Sequence, residues 1–152
     1  MALIDDLAPG PVALDTAPLV YLIERHPEYL PILEPLFAAI DSGSIEAVTS
    51  GLTLLEVLVV PYRAGDLALA ERYEALLTQS RGLRLVELDR PILRLAAHLR
   101  ATFRTLRAPD ALQAAVALST GCSAFLTNDR RLPRLPGLKV LQVNDYRRPR
   151  AR

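Results

Sequence analysis

Four carboxylates border or interrupt apolar segments of this chain: Asp15, Glu56, Asp110 and Asp129. A carboxylate is rarely buried unless it is paired with a cation or coordinates a metal. Two carboxylates about 4 Å apart repel each other by roughly 4 kcal/mol at an effective dielectric constant of about 20. A cluster of four is therefore stable only if some are protonated or a cation lies among them. Ligands that are all oxygen atoms suit Mg²⁺, with Mn²⁺ as a substitute.

A divalent cation held by such carboxylates can activate a water molecule and neutralise the charge of a phosphodiester. The chemistry that the four acids favour is therefore metal-assisted hydrolysis of a phosphate ester. Zinc is disfavoured as the ion, because the sequence has no pairs of His or Cys residues at zinc-ligand spacing. The sequence also has no glycine-rich phosphate loop and no G-x-S-x-G nucleophile motif.

Three of the four acids also have purely structural interpretations. Asp15 could cap the helix that follows it, and Asp110 could favour a helix N-terminus electrostatically. Asp129 could be an ordinary turn residue. Glu56 is the hardest to explain in this way, because most of the residues around it in the segment 52–60 are apolar.

Short apolar strands alternate with helices along the chain. Hydrophobic periodicity and capping residues predict strands over residues 12–14, 45–49, 83–88, 122–126 and 138–143. The same signals predict helices over residues 16–24, 28–40, 52–60, 67–78, 90–106 and 109–120. Asp66 and Asp89 are predicted helix caps, and Pro61 is predicted to end the helix before it.

This order of elements predicts a single α/β domain over residues 1–146. The expected fold is an α/β/α sandwich with a central, mainly parallel sheet of about five strands. Residues 147–152 are predicted to form a frayed basic tail. Right-handed crossovers bring the carboxyl ends of parallel strands to one edge, where such folds bind ligands. The four acids follow strands or lie in the first turns of helices, so we expect them to converge at that edge.

Length and composition fit one domain that works in a reducing compartment. A chain of 152 residues is long enough to bury a core of its own. No apolar run approaches the ~18 residues of a membrane span, and the first residues lack the features of a signal peptide. The single cysteine excludes an internal disulfide. We therefore expect a cytoplasmic protein without a membrane partner.

The net charge of +1 hides an uneven distribution of charge. The first 76 residues hold 12 acids and 3 arginines, whereas the last 76 hold 14 arginines, 1 lysine and 5 acids. An arginine-rich half could bind phosphates through the planar guanidinium group, although a solvated surface explains it equally well. The arginines that flank the third and fourth acids are the candidates for RNA phosphate contacts: Arg104, Arg107, Arg130, Arg131 and Arg134.

Four short motifs, which follow one another along the chain, resemble those of PIN-domain proteins. They are Val-Ala-Leu-Asp15-Thr-Ala-Pro, Gly-Leu-Thr-Leu-Leu-Glu56-Val-Leu, Ala-Pro-Asp110-Ala-Leu-Gln-Ala-Ala and Phe-Leu-Thr-Asn-Asp129-Arg-Arg-Leu. Each motif alone is weak, but the four in this order are fairly specific, and the resemblance extends over residues 12–143. Small PIN proteins of this length are similar to the VapC toxins of bacterial toxin–antitoxin pairs.

The resemblance implies a Mg²⁺-dependent endoribonuclease that is held inactive by a cognate antitoxin. It also implies a homodimer and, around residues 61–66, a docking groove for a segment of the antitoxin. The four acids would form the catalytic and metal-binding quartet, with Asp15 and Asp110 as direct ligands. Glu56 and Asp129 would position water molecules or bind a second ion.

Three polar neighbours of the quartet are expected to support it. Thr16 would assist through its hydroxyl group, and Thr127 or Asn128 would orient the fourth acid. Two other functions stay open. One is a catalytically silent PIN-like module that binds RNA or protein, which the intact acids argue against. The other is a metal-dependent phosphatase, which would prefer small esters to structured RNA.

Overall fold

The apolar strands of the chain pair into one parallel sheet. The computed structural model describes residues 2–149, and within them the strands are β1 (Val12–Leu14), β2 (Ala47–Ser50), β3 (Leu83–Val86), β4 (Ala124–Thr127) and β5 (Lys139–Gln142). Their order across the sheet is β3-β2-β1-β4-β5, and every neighbouring pair is parallel. The predicted α/β architecture is therefore confirmed.

Helices connect the strands and cover both faces of the sheet. They are α1 (Leu3–Leu7), α2 (Thr16–Ile23), α3 (Leu30–Asp41), α4 (Gly51–Arg63), α5 (Leu67–Gln79), α6 (Arg90–Thr102) and α7 (Ala108–Ser119), with a short 3-10 helix at Val143–Tyr146. Asp66 and Asp89 cap α5 and α6 as predicted, accepting backbone N–H groups of Leu69 and Ile92 at 3.0 Å. Among residues 2–149, no helix is both long and apolar enough to cross a membrane.

Alternate residues of β1 enter two separate hydrophobic cores. Val12 and Leu14 pack with residues of α1, α2, α3 and α5, whereas Ala13 packs with residues of α6 and α7. This alternation follows from the two-residue period of a strand, because successive side chains point to opposite faces. The chain therefore forms three layers, with the sheet between two layers of helices.

Two predicted helix ends are wrong by three or more residues, whereas the other helix boundaries differ from the predictions by at most two residues. Helix α4 continues through Pro61 to Arg63, because a proline this close to the end removes one helical hydrogen bond without preventing the last turn. Helix α6 ends at Thr102 instead of residue 106, since Phe103 adopts an extended backbone conformation. The Arg100 Nε group then donates to the carbonyl oxygen of Leu106 at 3.2 Å, which holds the connection to α7. Helix α1 was not predicted.

The predicted tail is described only in part. The Arg147 guanidinium group pairs with Glu28 at 3.2 Å, so the first residue of the tail is held against the domain. Residues 150–152, like residue 1, lie outside the described residues.

Gly82 provides a test of the turn that aligns β3 with β2. Its φ of +79° is unfavourable for other residues, and an added Cβ atom would lie 2.2 Å from the carbonyl oxygen of Ile40. Gly43 has a similar φ of +81° but open space around the same position. We expect Gly43→Ala to lower the free energy of unfolding by about 1–2 kcal/mol, from the left-handed backbone alone. Gly82→Ala should cost about 3 kcal/mol or more, because the clash adds to the backbone term.

Urea unfolding of the two variants measures this difference. An equal loss of stability in both would show that the approach of Ile40 to Gly82 does not constrain the turn.

Candidate active site

The site begins where β1 and β4 end side by side. The Asp15 N–H group donates to the carbonyl oxygen of Leu126 at 2.9 Å, which fixes the first residue after β1. The half-buried Asp15 side chain then accepts from the Thr16 N–H group at 2.8 Å and from the Thr127 hydroxyl at 2.7 Å. Asp15 therefore caps α2, as its structural interpretation proposed, and also faces the sheet edge as the functional interpretation requires.

Burial raises the pKa of the Asp15 carboxyl group above its ordinary value of 3.8. The hydrogen bonds from Thr127 and Thr16 act in the opposite direction, whereas the negative charges of Asp110 and Asp129 raise the pKa further. The donors that contact Asp15 are neutral groups. Its negative charge is thus solvated by hydrogen bonds, and no cationic side chain in the described part of the chain is bonded to it.

Glu56 reaches the same edge from α4. Its Oε1 atom accepts a hydrogen bond from the Thr16 hydroxyl at 3.3 Å. Burial, followed by the charges of Asp15 and Asp110, raises the pKa of Glu56 above 4.5, although the bond from Thr16 lowers it. Asp15 and Glu56 are therefore a pair of acids that interact unfavourably when both are ionised.

The other two acids face arginines. The Arg107 guanidinium group donates to Asp110 Oδ2 through Nε at 3.1 Å and through Nη2 at 2.9 Å. The same Nη2 atom lies 3.1 Å from Asp129 Oδ2, so Arg107 bridges Asp110 and Asp129. Arg131 adds two side-chain bonds and one backbone bond to Asp129. These hydrogen bonds from Arg131, together with the Arg107 charge, lower the pKa of Asp129 to about 2.

The structure thus brings all four predicted acids to one edge, in two electrostatically different halves. Thr127 joins the halves, because its hydroxyl donates to Asp15 and accepts from the Asp129 N–H group at 3.1 Å. The Asn128 side chain forms its hydrogen bonds elsewhere in the described residues: it accepts from the Asn144 N–H group at 3.0 Å and donates to the Tyr21 hydroxyl at 3.1 Å.

A buried layer of neutral polar side chains lies beneath Asp15, and sequence reasoning missed it. Gln113 Nε2 donates to Thr53 Oγ1 at 3.0 Å and lies 3.4 Å from Asp15 Oδ1. The Thr49 hydroxyl lies 2.8 Å from that of Thr53 and donates to the carbonyl oxygen of Leu14 at 2.9 Å. The sequence did contain one indication of this layer: Gln113 lies three residues after Asp110, so both side chains are on the same face of α7.

Of the arginines predicted to contact RNA, three are engaged in ion pairs. Arg107 and Arg131 contact acids of the site, and Arg130 pairs with Asp145. Arg104 and Arg134 are exposed to solvent.

A crevice of about 370 Å³ opens beside the acids. Its walls are Asp15, Thr16, Ala17, Val20, Tyr21, Glu56, Asn128 and Asp129. The ring of Tyr21 belongs to an aromatic cluster, with ring centroids 5.0 Å from His26 and 4.6 Å from Tyr29. The sequence did not predict this cluster, because its three members lie on the end of α2 and the turn before α3.

The acids suit Mg²⁺ in their chemistry, although they do not enclose an ion as they stand. Within residues 2–149, no three His, Cys, Asp or Glu side chains form a metal-binding group. Mg²⁺ keeps several water ligands and takes only one or two carboxylates directly, so a close group of three is not needed. In the described residues no hydrogen bond reaches Glu56 Oε2 or Asp110 Oδ1, so both oxygen atoms can accept a ligand.

Comparison with known proteins places this arrangement in a family. The chain matches the PIN domain family model over residues 12–138. It therefore belongs to the PIN domain family. A search of curated proteins by sequence finds no significant match.

Solved structures share the fold at low sequence identity. The VapBC2 structure from Rickettsia felis, bound to a promoter DNA fragment, aligns with a TM-score of 0.68 and 18% identity over 86% of this chain and 97% of that chain. DNA-bound VapBC from Salmonella typhimurium aligns with a TM-score of 0.64 and 23% identity, over 87% of this chain and 97% of that chain. VapC20 from Mycobacterium tuberculosis aligns with a TM-score of 0.61 and 18% identity, over 75% of this chain and 86% of that chain. It is described as a toxin that cleaves the sarcin-ricin loop.

In the absence of metal, removing a carboxylate charge should change the stability of the protein in opposite directions in the two halves of the site. The folded-state pKa of Asp15 is raised, so its ionised form destabilises the fold and stability falls as the pH rises through that pKa. We expect Asp15→Asn to raise the melting temperature at pH 7 in EDTA, with the difference vanishing below the ordinary carboxyl range. The pKa of Asp129 is lowered to about 2 in the folded protein. Its ionised form therefore stabilises the fold at any pH above the pKa of the unfolded chain, and this stabilisation is lost as the pH falls towards 2.

Asp129→Asn should therefore destabilise the protein at pH 7, by up to about 1 kcal/mol for partly exposed ion pairs. Melting curves of both variants and the parent at several pH values provide the measurement. Shifts of the same sign at pH 7 would contradict the electrostatic division of the site.

Proposed function

We propose that this PIN domain is a Mg²⁺-dependent endoribonuclease and the toxin of a toxin–antitoxin pair. The observation that carries the proposal is the pairing of Asp15 and Glu56 beside an open crevice, with no arginine or lysine of residues 2–149 bonded to either. If these acids had only a structural role, pairing each with a cation would make the fold more stable, and Asp129 is paired in this way with Arg107 and Arg131. Retaining two acids in this state is typical of a functional site.

Asp15 and Asp110 would be the direct ligands of the ion. When bound, a Mg²⁺ ion would supply a Lewis acid that polarises the phosphate and acidifies a water molecule. The remaining tasks fall to this chain's own side chains. Glu56, oriented by Thr16 through Oε1, presents Oε2 to accept a proton from the attacking water. Thr127 fixes the orientation of Asp15 through a 2.7 Å hydrogen bond.

Single-stranded RNA fits the remaining surface. Exposed Arg104 and Arg134 carry the charge that phosphate groups require. Tyr21 offers an aromatic ring at the wall of the crevice, where an unpaired base could stack. The reported cleavage of the sarcin-ricin loop by the similar M. tuberculosis toxin supports RNA as the substrate class.

An antitoxin partner and a homodimer belong to the same proposal. The similar structures from R. felis and S. typhimurium are complexes of the VapBC type. The side chains of Leu55, Val60 and Tyr62 on α4 and of Leu67 at the start of α5 are exposed. Tyr62 belongs to the predicted docking segment, and these exposed apolar side chains would be covered by a partner.

A second function is favoured by one observation. Arg107 and Arg131 already neutralise Asp110 and Asp129, as they would in a catalytically silent module that binds RNA or protein. Titration with Mn²⁺ followed by a cleavage assay separates the two functions, because a silent module would not cut any RNA.

We expect Asp15→Asn and Asp110→Asn each to reduce cleavage of single-stranded RNA in Mg²⁺ by at least about 100-fold, because each removes a proposed ligand of the ion. The matched control is Glu71→Gln, which removes an exposed carboxylate from α5. It should cut RNA like the parent. Initial rates on a fluorophore-labelled oligoribonucleotide give the comparison, with a mononucleotide ester as the test for phosphatase activity. Unchanged rates in both aspartate variants would refute the assignment.

A further inference from the structure

Asp129 has no free lone pair with which to bind a metal ion. Its Oδ1 atom accepts from the backbone N–H group of Arg131 at 2.9 Å and from Arg131 Nε at 3.0 Å. Its Oδ2 atom accepts from Arg131 Nη2 at 2.9 Å and from Arg107 Nη2 at 3.1 Å. A carboxylate offers about four acceptor positions, and these four bonds occupy all of them.

Asp110 is occupied on one side only. Both of its bonds from Arg107 go to Oδ2. A bridging guanidinium group therefore sits between Oδ2 of Asp110 and Oδ2 of Asp129. This is where a second divalent ion would have to lie if it were to bridge the two carboxylates.

The backbone holds Arg107 in this place. The carbonyl oxygen of Arg107 accepts from the Ala111 N–H group at 2.9 Å, as the first helical bond of α7. The side chain of Arg107 is 48% exposed, and that of Asp110 is 16% exposed. The guanidinium group thus covers Asp110 while leaving its own outer face in solvent.

We propose that Arg107 takes the place of a second cation, so that the site binds a single divalent ion with Asp15 and Asp110 as its ligands. The proposal rests on the proposed function and makes it more specific. Asp129 is then a positioning residue: it anchors Arg107 and does not coordinate the ion. The expectation that Asp129 binds water or a second ion is replaced by this narrower role.

The geometry distinguishes Arg107 from Arg131. Among the described residues, Arg131 forms its side-chain hydrogen bonds with Asp129 alone, which lies two residues away, and these bonds close a local loop. Arg107 contacts an acid on α7 and an acid that follows β4. Only a residue of the second kind can fix the separation of the two acids and replace an ion that would otherwise do so.

The stoichiometry of Mn²⁺ binding tests the proposal without any RNA. Isothermal titration of the full chain should give one ion per chain for the parent and two for Arg107→Gln, because Oδ2 of Asp110 then loses its cationic partner and Oδ2 of Asp129 keeps only the one from Arg131. Arg107→Lys retains the positive charge, so this variant should still bind one Mn²⁺ ion per chain. Arg130→Gln removes an equal charge that pairs with Asp145, and it should also remain at one.

A second pair of variants keeps the proposal testable if Arg107→Gln folds poorly. Asp110→Asn should weaken binding of the single ion by at least about tenfold, whereas Asp129→Asn should leave the affinity nearly unchanged. Two ions in the parent, one ion in a folded Arg107→Gln, or equal losses in the two aspartate variants would overturn the proposal.

The outcomes also separate this proposal from the proposed function. Two ions in a parent that cuts RNA would refute the role of Arg107 alone. A parent that binds no Mn²⁺ and cuts no RNA would refute both.

Discussion

The structure depends on how it tolerates the negative charge of Asp15 at the edge of a parallel sheet. The position follows from topology, because β1 lies at the centre of the sheet and β4 lies beside it. The charge is then solvated by an N–H group and two neutral side chains, Thr127 and Gln113. Neutral donors stabilise a carboxylate less than a cation does, so burial still raises the pKa of Asp15. The site therefore remains receptive to a cation.

Much of the site can be understood as two ways of treating like charges. On one side, Arg107 bridges Asp110 and Asp129, and together with Arg131 it saturates Asp129, so that these two acids are balanced without an ion. On the other side, Asp15 and Glu56 face the crevice and repel each other. A single cation placed between the halves would relieve the remaining repulsion and be oriented by carboxylates that are already fixed. Preorganised charge of this kind is a major source of catalytic power in enzymes.

The sequence predicted features that depend on local chemistry and missed those that depend on distant contacts. Asp66 and Asp89 were identified as caps because the donor of each bond lies three residues away. The convergence of the four acids followed from the carboxyl ends of parallel strands meeting at one edge. The prediction that Pro61 ends α4 was wrong. A proline lacks an N–H group, but Pro61 lies so near the end of α4 that the loss of one hydrogen bond does not stop the helix. The bridge made by Arg107 could not be predicted, because it depends on the rotamer of a long side chain and on the approach of α7 to the end of β4.

The arrangement of the carboxylates implies that a divalent cation binds among them at this edge. An anomalous difference map from crystals of the parent grown in Mn²⁺ tests it most directly. We expect one strong peak per chain, about 2.1 Å from carboxylate oxygens of Asp15 and Asp110. The absence of a peak at that edge with saturating Mn²⁺, or a peak bound elsewhere on the chain, would contradict it.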